Sequence, residues 1–128
     1  MDKRLILLWL PVIIWCGIIF YLSSLQVKPP TGTWLDIVLP YIVHLGEYGI
    51  LFTLTWRASK NLYGSIIFVI IYAFSDEIHQ AFVPTRTPDL LDVTTDIIGM
   101  LFAWLLIWKF LPKTPKKLKN LAKSWQII

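Results

Sequence analysis

The sequence predicts an all-α, polytopic membrane protein with four transmembrane helices and a short basic amphipathic helix at its C-terminus. One observation is composition: 56% of the 128 residues are hydrophobic, seven are tryptophan, and the mean hydropathy is +0.64. Soluble domains are much less apolar. A second is the presence of four apolar stretches of about 20 residues, the length that spans a bilayer as a helix. A third is the clustering of basic residues at the ends of these stretches.

The first apolar stretch runs from Leu5 to Leu25 and follows Lys3 and Arg4. A signal peptide is the competing interpretation, because a basic start precedes an apolar core. The stretch is long for such a core, and no small-x-small cleavage site follows it. A spanning helix is therefore favoured.

The second predicted span, residues 37–56, follows a loop that contains two prolines and Gly32. A short polar connection around Lys60 leads into the third span, residues 62–82. Connections this short favour antiparallel neighbouring helices.

Two prolines bracket the next loop, which carries Arg86. The fourth predicted span, residues 90–111, has Asp92 and Asp96 in its first two turns. These boundaries define a transmembrane domain of residues 1–111.

Residues 112–128 are predicted to form a basic interfacial tail. Read as a helix, they place Leu118, Leu121 and Trp125 on one apolar stripe with lysines opposite. This pattern favours a helix that binds anionic lipids of the inner leaflet through its lysines. A frayed tail that only sets the topology is the alternative, since the stripe is short.

The basic residues also predict the orientation. Ten of the twelve lie on one side of the predicted topology, and only Lys28 and Arg86 lie on the other. The positive-inside rule then places both termini in the cytoplasm of a multi-pass plasma-membrane protein. Because topology accounts for the net charge of +4, no nucleic-acid partner is expected.

Every acidic residue and every histidine inside the spans falls in the predicted outer leaflet. Because charge facing lipid is costly, these residues should turn inward and meet. Helical spacing groups them into faces: His44, Glu47 and Tyr48; Asp76, His79 and Gln80, with Glu77 adjacent; and Asp92 with Asp96. Small residues at 46, 49 and 99 are predicted to allow close helix contact there.

Four short motifs occur between residues 20 and 99. They are Phe20-Tyr21-x-Ser23-Ser24, His44-x-x-Glu47-Tyr48, Ser75-Asp76-Glu77-x-His79-Gln80-x-Phe82-x-Pro84-x-Arg86 and Asp92-x-x-x-Asp96-x-x-Gly99. Together they resemble the VanZ-like family. The resemblance implies a small bacterial integral membrane protein, and the name-giving member of the family is linked to low-level resistance to the glycopeptide teicoplanin. The chain departs from the family in having Thr85 where glycine is usual and Asp96 where asparagine is frequent.

One hypothesis is an enzyme that acts on a lipid or lipid-linked wall precursor in the outer leaflet. His79 or His44 would be the general base, because imidazole titrates near neutral pH, and a carboxylate would orient it. The carboxylates considered are Glu47, Asp76 and Glu77. The ligand-binding candidates are Arg86 as a phosphate clamp, Gln80, Asp92, Asp96 and Tyr48, together with Ser23 and Ser24, which with water are also the candidate nucleophiles.

Two non-catalytic hypotheses remain open. The protein would bind an anionic lipid or an amphiphilic drug in the same pocket, without chemistry. Alternatively, the polar residues form a structural core in which Arg86 pairs with Asp89 or Asp92.

A divalent metal is the cofactor to consider, because helical His-x-x-Glu and Asp-x-x-His pairs resemble the ligands of metal sites in bundles. Shared protons and arginine pairs explain the same cluster without a metal. The candidate ligands are His44, Glu47, Asp76, His79 and Asp92.

Overall fold

A computed structural model of the chain describes residues 3–26 and 31–127. Within these ranges there is no β-strand, and the all-α prediction is confirmed. The helices are α1 (Lys3–Ser23), α2 (Trp34–Ser59), α3 (Leu62–Gln80), α4 (Leu90–Leu105), which continues as a π-helix (Leu106–Phe110) and a 3-10 turn (Leu111–Lys113), and α5 (Lys116–Ser124).

Four of the helical segments are long and apolar enough to cross a membrane, which confirms the predicted spans. α2 begins before the predicted start at residue 37. The Asp36 carboxylate accepts hydrogen bonds from the Thr33 N–H at 3.0 Å and the Thr31 hydroxyl at 2.9 Å. These bonds satisfy donors at the helix start. Trp34, which precedes the predicted span of residues 37–56, is the first residue of α2.

α2 is the central helix and packs against α1, α3 and α4, while α3 also contacts α1 and α4. The pairing of α2 with α4 is the most extensive. Apolar side chains of all four helices form the core beside these contacts: Val12, Ile19, Tyr48, Leu51, Phe52, Val69, Ala73, Val93, Met100 and Ala103.

Close contact between α2 and α4 depends on Gly99. A Cβ atom at this position would lie 2.9 Å from the Leu45 Cα and closer still to the Leu45 carbonyl oxygen. A Cβ at Gly49 would lie 3.3 Å from the Gly99 oxygen. The predicted roles of these two glycines are thus confirmed. The prediction for Gly46 is wrong, because a Cβ there would meet nothing within 4 Å.

We expect Gly99→Ala to lower the free energy of unfolding by about 1–3 kcal/mol, because backbone on α2 must move to admit the methyl group. Gly46→Ala is the matched control on the partner helix, and it should cause no loss. Thermal unfolding of the detergent-solubilised variants measures both. Equal losses would contradict the close contact at Gly99.

The two ends of the bundle differ in chemistry. We define the carboxylate end as the one where α1 and α3 end and α2 and α4 begin. The basic end is the opposite one, where α2 ends at Ser59 and α5 folds back.

At the basic end, side chains of α2 and its C-cap hold the end of α5. Trp56 Nε1 donates to the Ile127 carbonyl at 3.0 Å, and Arg57 Nε donates to that of Trp125 at 2.8 Å. Lys60 Nζ donates to the Gln126 carbonyl. These carbonyls belong to the C-cap of α5 and to the two residues after it, so the bonds anchor the chain just beyond the helix. The predicted C-terminal helix is therefore formed and attached to α2.

Candidate functional site

A cavity of about 270 Å³ lies at the carboxylate end, between α1, α2 and α3. It combines acidic, basic and neutral polar groups inside a largely apolar bundle. Its polar lining consists of Ser23, His44, Glu47, Asp76, Gln80 and Arg86. All six residues were site candidates from the sequence.

The rest of the lining is apolar and opens toward the side of the bundle. Leu22, Leu39, Pro40 and Val43 form this part, and the leucines and valine are 37–56% exposed. Pro40 has no N–H to donate within α2. In a membrane these exposed side chains would contact lipid, so the cavity has an apolar entrance beside its polar interior.

Asp76 is the centre of a hydrogen-bond network in the cavity. Its Oδ1 accepts from the Ser23 hydroxyl at 2.7 Å, and its Oδ2 accepts from Gln80 Nε2 at 3.1 Å. Gln80 Oε1 in turn accepts from Arg86 Nη1 at 3.2 Å. The two α3 residues are one helical turn apart, so both reach the same face. The network therefore joins α1, α3 and the α3–α4 loop.

Arg86 also ties this loop to the end of α1. Its Nε donates to the Leu25 carbonyl at 3.0 Å, and its Nη2 donates to the Leu22 carbonyl at 3.1 Å. Three of its five N–H groups thus have partners among the described residues. The predicted pairing with Asp89 or Asp92 is wrong, because the carbonyls at the end of α1 take the guanidinium instead.

The loop reaches this position through an unusual backbone conformation at Thr85, whose φ is +73°. Left-handed conformations favour glycine, since a side chain costs roughly 1–2 kcal/mol there. The threonine keeps the turn, and Arg86 still reaches the cavity.

His44 lies in the cavity wall and contacts α4 behind it. Its Nδ1 is 2.9 Å from Asp96 Oδ1, and both residues are buried. With Asp96 ionised, Nδ1 must carry the hydrogen, because a carboxylate only accepts. The other ring nitrogen, Nε2, has no hydrogen-bond partner among the described residues. Asp96 thus fixes the orientation of the His44 ring.

Four buried oxygens near this end have no hydrogen-bond partner among the described residues: Glu47 Oε1, Tyr48 OH, Glu77 Oε1 and Asp96 Oδ2. Buried polar atoms are normally paired, so each is costly unless water or a ligand supplies a partner. Of these residues only Glu47 lines the cavity.

His79 lies outside the cavity lining and faces α1. Its ring stacks on Phe20 at a centroid distance of 4.1 Å, and its Nε2 is 2.9 Å from Ser24 Oγ. The Ser24 hydroxyl donates to the Phe20 carbonyl at 2.6 Å, so its single hydrogen is already used. His79 Nε2 therefore donates to Ser24 rather than activating it. Asp76, His79 and Gln80 were predicted to share one face of α3, but Asp76 and Gln80 line the cavity whereas His79 faces Phe20 and Ser24 of α1 and its end.

Glu77 and Asp92 also lie away from the cavity lining. Glu77 Oε2 accepts from the Asp89 N–H at 2.8 Å, and Asp89 Oδ1 accepts from the Leu91 N–H at 2.8 Å. Glu77 therefore orders the start of α4. Asp92 is partly buried one turn before Asp96 on α4.

The candidate metal ligands are dispersed in the same way. Among residues 3–26 and 31–127, no three His, Cys, Asp or Glu side chains are grouped closely enough to hold a metal ion. His44 faces Asp96 and His79 faces Ser24, whereas Asp76 is bound by Ser23 and Gln80.

Sequence reasoning missed the apolar entrance and the backbone partners of the site. Leu39 and Val43 looked like ordinary lipid-facing residues, although Pro40 between them marks an irregularity in α2. The Trp15 indole donates to the backbone carbonyl of Glu47 at 2.8 Å and joins α1 to α2. Since every residue has a carbonyl, no side-chain pattern reveals such a bond.

Comparison with known proteins gives one family. The family model described as VanZ/LLP1 matches residues 8–111, which include most of the first span, the whole of the other three and every residue of the cavity. No curated protein and no solved structure matched the chain.

Proposed function

This chain is a multi-pass membrane protein that belongs to the VanZ/LLP1 family, and we propose that its polar cavity binds the headgroup of a lipid or lipid-linked cell-envelope molecule. The observation that carries the proposal is the cavity itself, whose charged interior adjoins an exposed apolar entrance. An amphiphile matches both parts. Its chain would lie along Leu39 and Val43, and its headgroup would enter between α1, α2 and α3.

The cavity size favours a headgroup rather than a whole lipid. Pockets for small molecules span about 300–1,000 Å³, and this one, at about 270 Å³, is slightly smaller than that range. The acyl part of the ligand would stay in the membrane. This arrangement lets a small protein select a lipid by its polar end alone.

The charges of the lining favour a phosphate-bearing headgroup that also carries hydrogen-bond donors. Arg86 supplies a planar cation, and two of its N–H groups have no hydrogen-bond partner in residues 3–26 and 31–127. Glu47 Oε1 and Asp76 would repel a bare anion, and the buried Glu47 Oε1 needs a donor. A phosphate next to hydroxyl or amino groups satisfies both demands.

We place the carboxylate end in the outer leaflet of the plasma membrane. The support is the positive-inside rule, because Arg57, Lys60, Lys109 and the lysines of α5 all lie at the basic end. The ligand would then be a lipid or precursor that is exposed outside the cytoplasm.

A second candidate function, an enzyme acting on the same ligand, is favoured by the pairing of His44 with Asp96. A carboxylate that holds one imidazole nitrogen leaves the other as a general base or acid. This is how carboxylates orient histidines in hydrolytic sites. In this case Nε2 of His44 would exchange a proton with a headgroup hydroxyl or with water.

Resemblance to the VanZ-like family extends the proposal to glycopeptide resistance. A protein that binds a lipid-linked wall precursor in the outer leaflet would compete with or modify the step at which teicoplanin acts. Expression of this chain in a susceptible strain is expected to raise the inhibitory concentration of teicoplanin, and His44→Leu should remove the gain.

Binding and catalysis are separated by incubating the purified protein with an envelope lipid extract, followed by mass spectrometry of the lipids. An unchanged lipid that co-purifies with the protein identifies a binder, and a lipid of altered mass identifies an enzyme. Tyr63→Leu, an exposed change far from the cavity, is the control and should behave like the unsubstituted chain. If the protein retains no lipid and alters none, the proposed function is refuted.

A further inference from the structure

A second and larger cavity lies at the basic end, about 740 Å³ in volume, between α2, α4 and α5. Nearly all of its lining is apolar, and the polar side chains among it are those of Thr53 and Arg57. The Thr53 hydroxyl donates to the Gly49 carbonyl at 2.9 Å. Arg57 is therefore the charged residue of the lining.

α5 closes one side of this cavity with its apolar stripe. Leu118, Leu121 and Trp125 line the cavity, yet each remains 51–58% exposed because the space in front of it is not filled by protein. Three bonds from α2 and its C-cap hold the end of this helix in place. An apolar channel kept open by a fastened helix is suited to an apolar chain.

The entrance of the cavity is cationic. Arg57 binds the Trp125 carbonyl through Nε, and its four terminal N–H groups have no hydrogen-bond partner among the residues that the structure describes. Partial burial and the charge of Arg57 lower the pKa of the neighbouring Lys60. α5 carries Lys116, Lys117, Lys119 and Lys123 at the same end of the bundle, outside the lining of the cavity. An anionic group beside Arg57 would relieve its repulsion with Lys60.

We propose that this cavity is a binding site for one anionic phospholipid, with an acyl chain between α2, α4 and α5 and the phosphate at Arg57. The apolar lining fits the chain, and the surrounding cations complement the headgroup. The site differs from the polar cavity in its end of the bundle, its lining and its ligand. It also does not depend on the function proposed for that cavity.

Gly46→Leu tests the acyl site. Gly46 lines the cavity, and a Cβ there would meet nothing within 4 Å, so the backbone admits a side chain at this position and the leucine would take up cavity space. Gly17→Leu is the matched control, because this helical glycine on α1 has the same open surroundings and lies outside the cavity.

Arg57→Gln tests the headgroup contact. Glutamine keeps much of the side-chain length and removes the charge. Lys109→Gln removes one positive charge from the same end without touching the cavity lining, and it serves as the control.

The experiment is native mass spectrometry of the full chain, released from nanodiscs that contain phosphatidylglycerol and phosphatidylcholine with identical acyl chains. The expected result is one retained phosphatidylglycerol per chain and a preference over phosphatidylcholine of about fivefold or more, as one surface cation supplies. Gly46→Leu should lose this lipid and Gly17→Leu should keep it. Arg57→Gln should keep a lipid and lose the preference, whereas Lys109→Gln should retain it.

Several results would overturn the proposal. They are equal retention of both lipids by the unsubstituted chain, retention of phosphatidylglycerol by Gly46→Leu, or an unchanged preference in Arg57→Gln. If the unsubstituted chain forms a dimer without bound lipid, and Gly46→Leu dissociates that dimer, the cavity is occupied by a second copy of the chain instead. Circular dichroism verifies that each variant is folded, and Arg57→Gln tests the site even where Gly46→Leu does not fold.

Discussion

Replacement of His44 by leucine is expected to lower the free energy of unfolding by about 3–5 kcal/mol and to abolish headgroup binding in the polar cavity. His44 is the hydrogen-bond partner of Asp96, whose side chain is 1% exposed. Without the imidazole, both Asp96 oxygens are buried with no partner among the described residues. A buried carboxylate that loses its partner is far more costly than an exposed one.

The double variant His44→Leu/Asp96→Leu separates stability from function. Removing both partners leaves no buried charge unpaired, so stability should largely return. Binding should stay absent, because the cavity has lost the histidine of its wall. Thermal unfolding in detergent and lipid retention measure the two effects. If the double variant were as unstable as the single one, the pair would not be the source of the loss.

Asp96→Asn is the conservative member of this series. Asparagine keeps an acceptor for His44 Nδ1, and the resemblance to VanZ-like sequences indicates that it is tolerated at this position. It should therefore retain most of the stability and the binding that His44→Leu removes. A loss as large as that of His44→Leu would show that the negative charge, not the orientation of the imidazole, is what the site needs.

Arg86→Lys is the second change for which we expect a large effect, a loss of about 2–3 kcal/mol in stability and at least about tenfold in headgroup affinity. Lysine keeps the charge, but it cannot bind Gln80, Leu22 and Leu25 at once as the guanidinium does. The end of α1 would then separate from the α3–α4 loop, and the cavity wall would loosen.

Arg57→Lys is the matched control for this change. It is the same substitution, but Arg57 makes one described hydrogen bond, to the Trp125 carbonyl. Its effect on stability should be about 1 kcal/mol, and headgroup affinity at the carboxylate end should not change. Equal effects of the two substitutions on headgroup affinity would show that Arg86 does not bind the headgroup.

The fold and much of the cavity could be predicted from the sequence, because two strong constraints act on this chain. Apolar length identifies the spans, and the cost of charge in lipid turns polar faces inward. These constraints bring His44 to Asp96 and place Glu47 and Asp76 on one cavity. Within each helix, the spacing of three and four residues predicts which polar side chains share a face.

The partner of each face could not be predicted in this way. Asp76, Glu77 and His79 are close in sequence, but they point to the cavity, the α3–α4 loop and α1 respectively. Spacing determines which residues share a side of a helix and does not determine which helix lies opposite. The contacts of Arg86 with backbone carbonyls were hidden for a related reason, since carbonyls are present at every position.

The most direct test of the polar cavity is native mass spectrometry of the chain purified from its membrane, in the Gly46→Leu background so that the cavity at the basic end is filled. Headgroup binding predicts one retained lipid with a phosphate and hydroxyl or amino groups, and its loss on adding His44→Leu and Asp96→Leu. The same lipid retained at the same stoichiometry after both substitutions would contradict a functional site in this cavity.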